Sequence, residues 1–380
     1  MLTKYDELLC HQNTTTFDHV NQSDLRWTER VVMYGFDTSK EGGEGLNFMT
    51  GMARYPNRNV LDAYGMVTVG DKNAHVVRMS GELQPETGAL ASNAVGPFTY
   101  EIVEPLKKIR ASLAENEHGV SFQLDFDAAF PAYEQAPAFF RSRGRVLEDA
   151  RRFYQNGRLS GWIKTGNQEY EIDPATWRVG RDHSWGVRRG GGGGSVPEGR
   201  FLQPAEHRDG GMYFMGIFDF GDRLVHFAQR ETSSGQRYHF EGDVHPALGG
   251  AGDALPVLSV EHDFRFRDGG RLVDSGVVGV TTADGVTRSI TLRAMTDFWP
   301  GLAGYDHYRD YTSGMWKGAS FIDGFTADVT DPTVRERVSM LTETLCEVEC
   351  DGRIGYGLLE MVCVGNYPRY GFRAGSAGRA

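Results

Sequence analysis

The sequence predicts an all-β chain built as two tandem β-domains, each a barrel or a sandwich. Three observations point there. The 380 residues include 49 glycines, which supply tight turns. Short runs rich in Val, Ile, Phe and Tyr recur along the whole chain, the composition of strands. Between them stand Asp-Gly and Gly-Asp pairs flanked by alternating residues, a strong hairpin signal.

Residues 27–37 open the first domain as a structural strand, and residues 63–69 form another that ends at Gly70-Asp71. Residues 120–126 alternate apolar and polar, and residues 159–164 and 169–172 flank a turn at Thr165-Gly166-Asn167. In the second half, residues 211–220 and 223–230 flank Gly221-Asp222. Residues 277–282 and 287–293 flank Asp284-Gly285, and residues 345–350 and 354–364 flank Asp351-Gly352. Helix is scarce; residues 147–154 and 332–341 are the two candidates. A meander of this kind closes into barrels or sandwiches.

Residues 45–52 and 211–217 echo one another as apolar runs broken by a glycine. The expected division is therefore 1–175 and 176–380, and clefts between domains favour ligand sites.

The most chemically loaded stretch lies just after that division. Residues 181–189 read Arg-Asp-His-Ser-Trp-Gly-Val-Arg-Arg, followed by five glycines, Gly190 to Gly194. On a strand, Asp182 and Ser184 share one face while Arg181, His183 and Trp185 share the other. His183 beside an aromatic wall can be tuned through neutrality by burial and a nearby charge. A barrel strand whose His and Trp are satisfied core residues fits the same letters.

A formal net charge of −11 argues against nucleic-acid or anionic-membrane partners, which need a basic face. No apolar run has membrane-spanning length, so no membrane insertion is expected. The acidic start of the chain is unlike a signal peptide. Its four cysteines, Cys10, Cys346, Cys350 and Cys363, form no CxxC pair, and a cytoplasmic setting is expected. No HExxH, GxGxxG with a following helix, GxxxxGK[ST] or GxSxG occurs, so no metal and no nucleotide cofactor is expected.

The stretch from Asp182 to Arg188, in a β chain of this length, resembles the carotenoid 1,2-hydratase and AttH-like superfamily. The resemblance implies two lipocalin-like β-domains and an acid–base centre made of a His-x-Trp pair and a later Tyr-x-Asp pair. His183 and Trp185 match the first pair. Asp219 matches the second, with Ile217 at the tyrosine position and Tyr213 four residues earlier.

The residues agree on what such a site could do. Adding or removing water needs a proton donor and shelter for positive charge. A carboxyl in apolar company keeps its proton, and aromatic faces stabilise a developing cation. His183, Asp219 and Asp182 are the expected acid–base residues. Trp185, Tyr213, Phe218, Arg188, Asp297 and His307 are the expected substrate contacts, the last two from the aromatic and acidic loop at residues 296–311.

The expectation is a cofactor-independent lyase or hydratase acting on a hydrophobic small molecule, a terpenoid, polyene or aromatic. A non-catalytic carrier of an apolar ligand, and an isomerase or cyclase, stay open, as does homo-oligomerisation. A carrier has no need for several titratable groups to converge on one cavity, whereas a lyase needs at least two.

Overall fold

The computed structural model describes residues 2–12, 19–39, 45–83, 92–142, 144–188, 210–267, 270–338 and 341–373. The glycine run after Arg188 lies outside the described residues. The chain begins with β1 (Trp27–Asp37), β2 (Leu46–Tyr55), β3 (Val60–Val69) and β4 (Asn73–Glu82). Next come β5 (Ser92–Val95), β6 (Phe98–Glu104), β7 (Lys108–Leu113) and β8 (Val120–Ala128). The short β9 (Tyr133–Glu134) and β10 (Ala138–Ser142) precede a long β11 (Arg145–Thr165), β12 (Gln168–Ile172) and β13 (Trp177–Val187). The second half holds β14 (Gly210–Asp219), β15 (Arg223–Thr232), β16 (Arg237–Pro246) and β17 (Leu255–Phe266). It continues with β18 (Val273–Thr282), β19 (Thr287–Phe298) and β20 (Ser320–Asp328). Helix α1 (Pro332–Val338) separates these from β21 (Thr342–Cys350) and β22 (Arg353–Gly365).

These strands form one strongly curled sheet and one closed barrel. The sheet runs β20-β4-β3-β2-β1-β13-β11-β8-β7-β6-β5, and the barrel closes β14 through β19 with β21 and β22. The strand β13 pairs with both β1 and β11. β13, which ends at Val187, is therefore hydrogen-bonded into the first sheet, and the barrel strands begin with β14. β20 crosses back to pair with β4, so the second half of the chain also supplies an edge of the first sheet.

Burial follows from how the two units pack. β17 alternates buried and exposed residues, as a barrel strand with one wet face should. β1, in contrast, is buried along nearly its whole length, because it is covered on both sides. Val31 and Met33 join one core with Phe48, Phe122 and Trp177. Val32, Tyr34 and Phe36 join another with Phe298, Trp299, Leu345 and Leu358 from the second half. The barrel thus lies with its outer wall against one face of the first sheet.

Turn chemistry landed where expected. Cys350 pairs with Arg353, and both Asp351 and Gly352 have positive φ, 54° and 75°, the two-residue turn that matches strand twist. The helix expected at residues 332–341 is α1, seven residues long, begun by Asp331, whose carboxylate accepts from Thr333 N at 2.8 Å. The helix expected at residues 147–154 is instead part of β11. Cross-strand pairing with β13 from Asp149 to Gly157 overrides a weak local propensity. Among the described residues, no helix is long and apolar enough to cross a membrane.

Candidate functional site

Strand alternation splits the Arg181–Arg188 stretch between two environments. Arg181, His183 and Trp185 turn away from the barrel and receive the first residues of the chain. Glu7 is fully buried and forms a two-pronged ion pair with Arg181, at 2.7 Å on each arm. His183 Nε2 lies 3.0 Å from Glu29 Oε1, and His11 Nδ1 lies 2.6 Å from the same oxygen. His11 stacks on Trp185 with ring centroids 3.7 Å apart. Gly186 lets this strand sit close to its neighbour: its φ is +122°, and a Cβ there would meet Asp149 O at 2.1 Å.

The other face looks toward the barrel and lines a cavity of about 370 Å³, a volume within the roughly 300–1,000 Å³ typical of small-molecule sites. Register explains its floor. Asp182 sits between Val32 and Tyr154, and Ser184 sits between Arg30 and Arg152. The barrel's outer wall supplies the roof, including Tyr213, Arg230, Glu343, Leu358, Glu360 and Val362. Glu343 and Glu360 are direct cross-strand partners on β21 and β22. Two like charges placed opposite one another are destabilising, and here they are held against a second unit rather than against water.

One proton resolves that conflict. Burial pushes the Glu343 carboxyl well above the usual carboxylate range, and the neighbouring Glu360 and Asp182 push it further. Burial also raises Glu360, with Arg152 pulling the other way. Both shifts run upward, so the pair holds a proton to higher pH than two free carboxyls would; Glu343 Oε2 has no hydrogen-bond partner among the described residues. Asp182 is ion-paired with Arg152 Nε at 3.3 Å. Burial and the charges of Arg30 and Arg152 push the Arg188 guanidinium down to about 9. Arg30 lies over the Tyr305 ring, 4.7 Å from its centre.

Of the residues expected from sequence, Asp182, Arg188 and Tyr213 line this cavity. His183 and Asp219 do not, and they form no pair with one another. His183 is fully buried on the opposite face of its strand. Asp219 ends β14, where its carboxylate is bound by Arg158 at 2.6 Å and by Gly221 N at 2.7 Å. The structure does not bring His183 and Asp219 together: Asp219 pairs with Leu224 and Tyr356 on the barrel, while His183 meets Glu29 on the far face of β13. Trp185 holds His11, Phe218 is fully buried in the barrel core with Phe227, and Asp297 is bound by Arg267 and Thr344. His307 is exposed beside Asp310. Glu343 and Glu360 were missed, though a glutamate amid Leu358, Leu359, Met361 and Val362 is a legible signal.

His11, Glu29 and His183 each place one ligand atom within 4.8 Å of the others, the kind of set that could hold a metal. Sequence spacing could not reveal it, because His183 lies 154 positions from Glu29. Two features favour a hydrogen-bond network instead. Both imidazoles share one oxygen at hydrogen-bonding distance, and among the described residues His183 Nδ1 has no partner, where a metal-bound imidazole normally donates outward. The network has a measurable signature. Burial alone would raise the Glu29 carboxyl, but the bonds from His11 and His183 hold it down to about 2. A depressed carboxylate contributes stability that is present above its unfolded value of 4.5 and is lost as pH falls toward 2. The melting-temperature gap between wild type and Glu29→Gln should therefore close over that window. A gap that stays constant with pH would refute the assignment.

His183→Ala should remove about 2–4 kcal/mol of stability, through the cavity left and the lost partner of Glu29. Ligand binding in the folded fraction should be retained, since the cavity lies on the other face. Paired melting and binding measurements decide; unchanged melting with abolished binding would restore a direct role for His183.

No curated protein matches this sequence. Solved structures share its fold, two of them over most of both chains. One is a protein assigned as AttH from Nitrosomonas europaea, 10% identical, covering 88% of this chain and 92% of that one with a TM-score of 0.53. The other is kievitone hydratase from Nectria haematococca, 13% identical, covering 88% of each chain with a TM-score of 0.50. The likeness at such identities is one of fold, and the fold is that of the AttH-like proteins. Over residues 2–373 the sequence matches the profile of a family described as a family of unknown function, DUF8625, and the chain belongs to that family.

Proposed function

We propose that this protein is an acid–base enzyme that adds water to, or removes it from, a carbon–carbon double bond in a small molecule with an apolar body. The observation that carries this reading is the convergence of Glu343, Glu360 and Asp182 on one cavity between the sheet and the barrel. A carrier has no use for a protonated carboxyl held beside two others, and each buried carboxyl costs stability unless it is compensated.

In the hydration direction, Glu343 gives its proton to one alkene carbon. Positive charge develops at the neighbouring carbon, facing Tyr34, Tyr154, Tyr213 and Tyr305. Water attacks that carbon and loses its own proton to the Asp182 carboxylate. Solvent then returns a proton to Glu343 and removes one from Asp182, so one water is consumed per turnover. Elimination runs the same steps backwards, and an isomerase would use the same two carboxyls without admitting water. Glu360 keeps Glu343 protonated, while Val32, Met49, Leu341, Leu358 and Val362 hold the apolar body. The fold likeness to kievitone hydratase is compatible with this chemistry and does not name the substrate.

The test is incubation in deuterated water with unsaturated and hydroxylated terpenoids and aromatics, kievitone included, followed by mass spectrometry. A product changed by the mass of one water, or carrying deuterium on carbon, is expected. Compounds that bind the cavity and emerge unchanged and unlabelled would reduce the protein to a carrier.

A further inference from the structure

The cavity lining holds four guanidiniums, Arg30, Arg152, Arg188 and Arg230, and they are not equally matched by its carboxylates. Arg230 is paired with Glu148 at 3.3 Å, and Arg152 with Asp182 at 3.3 Å. Arg30 rests on the Tyr305 ring. Glu343 and Glu360 stand directly opposite each other, where their charges repel, while Arg152, Arg188 and Arg30 favour an ionised Glu360. Arg188 has no carboxylate at ion-pair distance among the described residues: its Nη1 donates to Ser184 Oγ at 2.6 Å, and the Asp182 and Glu360 charges act on it only from further off. A guanidinium carries five N–H donors, and the described residues engage one nitrogen of Arg188.

We infer that Arg188 is the recognition group for a carboxylate on the substrate, which is therefore an organic acid with an apolar or aromatic body. This inference rests on the acid–base reading of the same cavity. A cation partly removed from water beside two like charges is costly. Its depressed protonation equilibrium is the footprint of that cost. A carboxylate arriving at Arg188 would offset it, and the planar fork of a guanidinium matches a carboxylate's two oxygens. Ser184 fixes one arm of the fork, which limits the rotamer entropy lost on binding. The apolar side of the cavity, Val32, Met49, Leu358 and Val362, is where the body of such an acid fits. Anchoring the acid there also fixes which bond of the substrate meets Glu343.

Calorimetry with naphthoate and its neutral twin naphthamide tests this without any turnover. Wild type should bind naphthoate more tightly than naphthamide by on the order of tenfold or more. Arg188→Gln should erase the preference by weakening naphthoate alone, with circular dichroism unchanged, and Arg188→Lys should retain part of it. Equal affinities in wild type, no naphthoate binding, or a preference that survives Arg188→Gln would overturn the inference. The two readings fail separately. A naphthoate preference with no chemistry on any compound sinks the acid–base reading. Conversion of neutral substrates without that preference sinks only the carboxylate.

Discussion

Glu343→Gln is expected to lower turnover by about 10²–10⁴-fold, the usual contribution of a positioned general acid, with little change in fold or ligand affinity. Glutamine copies the shape of the protonated carboxyl and cannot give up a proton to carbon. The variant should be at least as stable as wild type, because it removes the need to hold two opposed carboxyls under the sheet. The sign of the pH effect follows from the raised folded-state value of Glu343. Its proton is retained on folding above the pH where the unfolded carboxyl ionises, so the stability linked to it is present at low pH. That stability is lost as pH rises through the folded value. The melting-temperature advantage of Glu343→Gln should therefore grow with pH. Turnover in wild type should fall along the same alkaline limb, and Glu360→Gln should move that limb to lower pH by removing the charge that keeps Glu343 protonated. Wild-type turnover in a folded Glu343→Gln protein would remove the general acid from the mechanism.

Local chemistry made much of the fold readable. Asp351-Gly352 announces its hairpin because both residues tolerate positive φ, and strands such as residues 120–126 announce theirs by period two. The alternation of residues 181–188 likewise assigns Asp182 and His183 to opposite faces of one strand. Alternation cannot say which face meets the cavity. That depends on where the barrel docks, through residues such as Leu345 and Leu358, far along the chain. The family resemblance favoured the His183 face, whereas the cavity opens on the Asp182 face. The residues 147–154 misled for a related reason: Glu148, Arg152 and Tyr154 look like a polar helix until they are seen lining the cavity from β11. Glu29 belongs to a structural strand, but its carboxylate binds one histidine 18 positions before it and another 154 positions after it.

The same separation of faces predicts what the other half of the motif does. Arg181 is 1% exposed and Glu7 is fully buried. Arg181 also meets Gln155 Oε1 through Nε at 3.1 Å, and Leu106 N donates to Glu7 at 2.9 Å. Burial would raise the Glu7 carboxyl, but Arg181 holds it below the ordinary range, so the pair is ionised inside the protein. Cutting one partner leaves a bare charge in the core. Glu7→Ala is therefore expected to cost about 3–5 kcal/mol, read as a fall in the urea midpoint. Replacing both residues, Glu7→Leu with Arg181→Met, should cost less than Glu7→Ala alone, because no charge is then stranded. The stability at stake is present above the unfolded carboxylate value and disappears as pH falls, since the folded value is the lower one. Cavity binding of naphthoate should persist in whatever fraction of Glu7→Ala remains folded, because Arg188 and Asp182 face the other way. A Glu7→Ala protein within about 0.5 kcal/mol of wild type, the range of ordinary surface changes, would mean that Arg181 does not depend on the start of the chain. The Arg-x-His-x-Trp face would then be free for a role other than anchoring that segment.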